Sequence, residues 1–295
     1  PGGRERAHEF HPILRQKPFI LPDTIVEIEI AEAGPIASAS EFVTLKQKVP
    51  EWVGFENYMR MAGEPKFWEA MRNNMLWLLV VPAASTAFGL LVAQLTDQIR
   101  WGRIAQMLIF MPMAISFVGA AVIWKLVYDA RPIDQDQIGM LNAVVVWFGG
   151  TPQTWLTVPL WNNFFLMLVL IWIQTGFATV ILSAALRGIP EETVEAAIVD
   201  GANPFQIFFR IKVPQIATTI LVVWTTITIV VLKVFDIVYA MTNGQWQTQV
   251  LANYMFDKLF VANDWGVGSA SAIVIMVLVT PILVWNVRNA RKEME

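Results

Sequence analysis

The 295-residue chain contains no cysteine. That excludes disulfides, thiolate metal sites and cysteine nucleophiles. Its two histidines, His8 and His11, lie near the N-terminus, so the body of the chain has no histidine for a catalytic or zinc site. Charge is scarce too: Asp, Glu, Lys and Arg make up 15% of the residues, against about 25% in an ordinary soluble protein. The net charge of -3 leaves no overall basic footprint for nucleic acid. No Gly-x-x-x-x-Gly-Lys-Ser/Thr phosphate loop occurs, so the chain does not bind ATP in that way.

What is present is apolar. Hydrophobic residues make up 56% of the chain, with 13 Trp and a mean hydropathy of +0.51. This argues against a soluble globular enzyme and against a disordered chain. Five runs reach the roughly 20 residues that a helix needs to cross a bilayer: 73–95, 104–128, 161–186, 213–241 and 268–287. They hold only three charges, Lys125, Lys233 and Asp236. Soluble helices carry a polar stripe, whereas these runs are apolar all round. Pro82, Pro112 and Pro281 fall inside them, which membrane helices tolerate. The expected fold class is an all-α polytopic membrane protein.

Loop charge predicts orientation. One set of connections carries Arg100, Arg103, Arg187, Arg210 and Lys212, and the tail adds Arg288, Arg291 and Lys292. The intervening loops have only Arg131 and Lys258. The first set and the tail 288–295 are therefore expected in the cytoplasm, and 129–160 and 243–267 outside. Trp101, Trp124, Trp161 and Trp285 lie at span ends, as an interfacial belt requires. Five spans then put the polar stretch 1–72 outside. Its most apolar part, 19–43, contains Asp23, Glu27, Glu29, Glu32 and Glu41, too many acids for a span. An upstream part with at least one further span is thus expected. The alternative is a re-entrant or cytoplasmic segment before Asn73. The apolar but short 138–148 is expected to be a helix lying at the outer surface.

The connection 187–214 has the densest local signals. Pro190 suits a helix start, and Glu191 and Glu192 suit the positive end of the helix dipole. Val194, Ala197 and Ile198 share one face. Gly201 can end the helix in the left-handed conformation. Asn203 then caps a second helix with Pro204 at its first position and Phe205, Phe208 and Phe209 as its apolar face. The pattern leaves open whether these phenylalanines pack on the chain's own helices, lie on lipid or dock into a soluble partner.

Glu195-Ala196-Ala197-x-x-x-Gly201, followed by Ile211-x-Val213-Pro214, resembles the EAA loop of binding-protein-dependent ABC importer permeases, with Val213 where Leu is usual. The segment Trp52-Val-Gly-Phe-Glu-Asn-Tyr58 is similar to the family's F-V-G-x-x-N-Y stretch. Phe235-Asp236-x-Val238-Tyr239-x-Met241-Thr242-x-Gly244 is similar to a segment of sugar permeases, and 109–129 to the alpha-glucoside branch of MalF-type subunits. The resemblance covers about 52–290. It implies a MetI-like bundle in the bacterial inner membrane, paired with a second homologous permease subunit. It also implies two ATP-binding cassette subunits, which hold ATP and Mg, and an external solute-binding protein that delivers a sugar. This chain itself would bind no cofactor. The coupling positions it implies are Glu195, Ala196, Ala197, Asp200 and Gly201, beside the three phenylalanines.

Ionisable groups inside spans are candidate functional positions. Lys233 and Asp236, three apart, would share a helix face, as an ion pair or as part of a sugar path. Lys125 is expected to snorkel. Neutral candidates for the path are Asn162, Asn163, Gln174, Thr175 and Thr179, and Thr225, Thr226 and Thr228, with Trp172 and Trp224 to stack on a sugar ring. Helix packing competes with each of these assignments. Two other functions stay open. One is the same importer with a peptide, amino-acid or phosphate-ester cargo. The other is a membrane transferase using Asp129, Asp134 and Asp136.

Overall fold

The computed structural model describes residues 26–27, 46–47 and 52–294. Pro1–Gly54 and Phe55–Glu295 form separate compact units. Besides 52–54, the described part of the first is a two-residue antiparallel ladder, Val26–Glu27 (β1) with Lys46–Gln47 (β2), Val26 opposite Gln47. The other readings within 1–51, and those of the Trp285, Arg291 and Lys292 side chains, lie outside the described residues.

The second unit is helical. It opens with α1 (Glu56–Ala62), α2 (Pro65–Asp97), α3 (Gly102–Phe110) and α4 (Phe117–Val127), followed by the short α5 (Met140–Trp147). Next come the long α6 (Trp161–Arg187), then α7 (Glu191–Val199), α8 (Pro204–Gln206) and α9 (Val213–Gln215). The chain finishes with α10 (Ala217–Leu232), α11 (Asp236–Met241), α12 (Leu251–Phe256) and α13 (Trp265–Met294). Among the described residues two helices, α2 and α6, are each long and apolar enough to cross a membrane.

α2 and α6 run in the same direction and form the spine of the unit. Asn73 on α2 and Asn163 on α6 both donate to the Gln247 carbonyl, while Arg187 at the far end of α6 pairs with Asp97 at the far end of α2, 2.7 Å apart. Trp77, Val81, Leu166, Leu170 and Leu182 bury fully between them and their neighbours. Small residues let the backbones approach closely, the usual solution where lipid gives no hydrophobic drive for helix pairing. A Cβ added at Gly89 would overlap the Ala178 methyl. Gly89→Val is accordingly expected to cost about 1–3 kcal/mol by overpacking. The check is the thermal midpoint of the solubilised protein, and an unchanged midpoint would contradict the α2–α6 contact.

Two of the expected spans are not single helices. The run 104–128 breaks after Ala114, and α4 leaves at 105° to the preceding helix. Pro112 sits in a short 3-10 turn, and Ser116 accepts the Gly119 N–H at 3.1 Å to cap α4. A proline without a donor and a fresh N-cap end one helix and start another. The run 213–241 is divided twice. Pro214 cannot donate to the Arg210 carbonyl, the preceding turn widens to a π turn over Ile207–Lys212, and a bend of 71° follows at Ile216. α10 then stops at Leu232, and Phe235 turns aside to stack on Tyr239 and pack on Phe256. The last long helix starts at Trp265 rather than Gly268. The 138–148 stretch forms α5, with Asn142 buried and tying Asp129 and Gln153 together.

Candidate functional site

Two regions gather the candidate residues, and the first is the connection after α6. α7 ends as its sequence dictates. Gly201 takes φ +80°, its N–H donates to the Ile198 carbonyl at 3.0 Å, and the Ala202 N–H donates to the Ala197 carbonyl at 2.9 Å. This is the double hydrogen bond of a Schellman stop, which a glycine makes at no steric cost. Asn203 and Gln206 then form a reciprocal capping box at 2.9 Å in both directions. The bend at Gly201 presents an apolar face that the chain leaves open: Phe205 is 77% exposed and Phe209 61%. Phe208 is half-buried and packs edge-on against Phe209, so it contributes less to this face than the pattern predicted. Ile198 and Val199 are exposed and complete the patch. Sequence reasoning missed Val199, because single apolar residues at a helix end carry no periodic signal. Glu195, Ala196 and Asp200 are exposed, and Ala197 is buried.

The second region is a cleft of about 510 Å³. The break between α3 and α4 supplies Met113, Ile115, Ser116, Phe117 and Val118; α6 supplies Ile173, Gln174 and Phe177; α10 supplies Thr226 and Val230; α11 supplies Asp236. This volume lies in the range of small-molecule sites, mostly apolar with a few polar groups. Gln174 is buried, and among the described residues its amide makes no hydrogen bond. Asp236 opens α11 and lines the cleft.

The structure brings together only some of the expected path residues. Gln174, Asp236 and Thr226 line the cleft. Thr225 and Thr226 both donate back to helix carbonyls, Thr225 to Leu221 and Val222 and Thr226 to Val222, but Thr225 does not line the cleft. Trp172 packs edge-on against Trp124 rather than facing the cleft. Lys233 and Asp236 lie on either side of the break after α10, so they share no helix face and form no ion pair among the described residues. Lys125 does not simply reach for water, since its Nζ donates to the Ala240 carbonyl at 3.1 Å.

Asn163 has a different task. With Asn73 and Asn162 it holds the loop 242–250, where Asn243, Gly244, Trp246 and Gln247 all have positive φ. Each non-glycine in that region costs about 1–2 kcal/mol. The side-chain amides of Asn73, Asn162 and Asn163 donate to the Trp246, Gln247 and Gln249 carbonyls at 2.6–3.2 Å. At about 1 kcal/mol each, these bonds offset much of the strain. The loop's acidic neighbour is tied as well: Tyr254 donates to Glu64, which also pairs with Lys258. Burial first and the Glu64 carboxylate second push the Tyr254 hydroxyl well above the ordinary tyrosine range.

The acid cluster required for a transferase does not assemble. Asp134 and Asp136 are exposed, Asp129 lies 3.8 Å from Arg131, and no metal-holding group of acids or histidines occurs among the described residues.

Residues 85–292 match the family described as binding-protein-dependent transport system inner membrane component. The alpha-glucoside transport system permease protein AglF of Rhizobium meliloti is 68% identical over 243 residues, which is 82% of this chain and 72% of that protein. The osmoprotective compounds uptake permease protein GgtC of Synechocystis is 47% identical, over 82% of this chain and 87% of that one. Among solved structures, a bacterial ABC transporter involved in the import of the acidic polysaccharide alginate aligns with a TM-score of 0.72 at 22% identity. That alignment covers 83% of this chain and 85% of that one, and it speaks to the fold.

Proposed function

The chain belongs to the family of binding-protein-dependent transport system inner membrane components, and from that membership we propose that it forms half of the translocation path of an ATP-driven sugar importer. It is a multi-pass inner-membrane transport subunit and not an enzyme. The cargo in this reading is an alpha-glucoside or a related oligosaccharide, supported by the 68% identity to a relative of that name. Its partners are a second permease subunit, two ATPase subunits that bind ATP and Mg, and an external solute-binding protein.

In this reading the loop after α6 faces the cytoplasm together with the C-terminal tail, and the segment before α2 lies outside. The observation that carries the coupling role is the exposed apolar face at Ile198, Val199, Phe205 and Phe209, set at a fixed angle by Gly201. Buried aromatic anchors dominate protein interfaces, and a groove on the ATPase subunit gives these side chains the burial they lack here. Glu195, exposed on the same helix, then meets a basic group of that subunit. ATP binding moves the groove, the groove moves α7 and α8, and α6 transmits the displacement to the cleft. There Gln174, Thr226 and Asp236 meet the sugar hydroxyls while the apolar wall meets the ring face.

The test is purification with the partner subunits, followed by ATP hydrolysis with the binding protein over a panel of glucosides and osmoprotective compounds. Stimulation by alpha-glucosides is expected. Stimulation by osmoprotective compounds alone would replace the cargo assignment and leave the importer reading in place.

A further inference from the structure

A polar node lies where α2, α3 and α6 meet, buried at Thr96 and Ser183 and open to the surface at Arg187 and Asp97. Gln106 on α3 has its whole amide engaged. Nε2 donates to Thr96 Oγ1 at 2.8 Å and to Ser183 Oγ at 2.9 Å, and Oε1 accepts from Arg187 at 3.3 Å. Arg187 Nε donates to Asp97 at 2.7 Å. Thr96 and Ser183 are buried, and the Thr96 hydroxyl runs on to the Val92 carbonyl at 2.7 Å. The Thr96–Gln106–Ser183 half is part-buried, where hydrogen bonds hold more stiffly than in water, while Arg187 and Asp97 are 48% and 29% exposed.

The node's position in the chain gives it a role. Arg187 is the last residue of α6, and α7 begins at Glu191. From the node towards the cleft, α3 and α6 stay in contact: a Cβ on Gly176 would lie 2.6 Å from the Ile109 carbonyl oxygen. Just beyond that contact the two chain segments become cleft walls, Met113–Val118 on one side and Ile173–Phe177 on the other. One cross-braced pair of helices therefore runs from the root of the exposed loop to both walls of the cleft.

We propose that Gln106, Arg187 and Asp97 are positioning residues that make α3 and α6 move as one body, so that displacement of the loop reaches both walls of the cleft together. The inference rests on the transport reading above. Without the brace, the end of α6 tilts while α3 stays behind. ATP is then hydrolysed without an ordered opening of the cleft.

The natural absence of cysteine makes the test clean. Gln106→Cys with Ser183→Cys is placed in the complete importer with cysteine-free partner subunits. Sugar uptake and ATP hydrolysis are measured in proteoliposomes before and after bridging the two thiols with a short, reducible bis-methanethiosulfonate. In the unbridged form ATP hydrolysis is expected to continue, while sugar moved per ATP falls by about fivefold or more, the low end of a typical coupling energy. Bridging is expected to restore it. Asp97→Asn, which leaves Gln106 in place, is expected to lower the same ratio and serves if the cysteine pair does not assemble. Bridging that abolishes uptake would show that α3 and α6 separate during the cycle, and full coupling in both variants would show that the node is idle; either overturns the proposal. A wild-type importer with no sugar-stimulated hydrolysis would instead overturn the transport reading.

Discussion

Replacing Gly201 by Pro is expected to abolish both ATP-driven uptake and stimulated ATP hydrolysis while the chain still inserts in the membrane. Gly201 sits at φ +80°, and proline is fixed near -65°. Proline also lacks the N–H that bonds the Ile198 carbonyl at 3.0 Å. Both features of the stop after α7 are lost, and the helix bearing Phe205 and Phe209 points elsewhere. A graded series separates geometry from bulk. Nothing lies within 4 Å of a Cβ built at Gly201, so Gly201→Ala meets no clash. It carries only the left-handed cost of about 1–2 kcal/mol, and uptake should fall partially. Phe205→Ala and Phe209→Ala leave the bend intact and remove the anchors. Each should weaken assembly with the ATPase subunit by about 2 kcal/mol, or about thirtyfold, if it is a hot spot. Glu195→Lys should abolish uptake through charge reversal at an exposed position. The readouts are uptake by membrane vesicles, ATP hydrolysis by the purified complex, and size-exclusion behaviour as the control for insertion and folding. Normal uptake in Gly201→Pro and Glu195→Lys together would remove the coupling role from the loop.

Gln174→Leu is expected to raise the half-saturating sugar concentration for uptake by about fivefold to 150-fold, corresponding to about 1–3 kcal/mol for a lost polar interaction. Gln174 lines the cleft and its amide makes no internal hydrogen bond among the described residues, so its hydrogen-bonding capacity is free for the cargo. An isosteric apolar residue removes that capacity and keeps the wall. The thermal midpoint should be unchanged, because the substitution removes no internal hydrogen bond among the described residues. This combination, weaker apparent affinity with undiminished stability, separates a cargo ligand from a structural amide. Asn163→Leu provides the contrast. It removes a pin of the loop 242–250 and leaves the Gln247 carbonyl to Asn73 alone, so stability falls first. A lowered midpoint with unchanged apparent affinity in Gln174→Leu would place the cargo elsewhere.

The loop after α6 was readable almost residue by residue. Its stop at Gly201 and its cap at Asn203 depend on neighbours within a few positions, and those rules are local. The long helices α2 and α6 were readable as well, because apolar length alone specifies them. The cleft was not. Its existence depends on the chain breaking near Ser116 and after Leu232, and a proline in an apolar run signals either a tolerated kink or a break. Facing was equally hidden, since a helix that is apolar all round has no moment to say which side looks inward. That is why Thr226 lines the cleft and its neighbour Thr225 does not. It is also why Asn162 and Asn163, plausible sugar ligands by chemistry, are engaged in holding a strained loop. Gln106 gave no signal: one amide in an apolar stretch is ordinary until its partners on two other helices are known.

The central claim is that this chain couples ATP hydrolysis on its partners to sugar entry through the loop after α6. Its most direct test is uptake of an alpha-glucoside into proteoliposomes that hold the complete importer, with ATP inside and the binding protein outside. The account predicts ATP-dependent accumulation with the native chain and none with Gly201→Pro. Accumulation that survives in Gly201→Pro, or no ATP-dependent accumulation of any glucoside with the native chain, would contradict it.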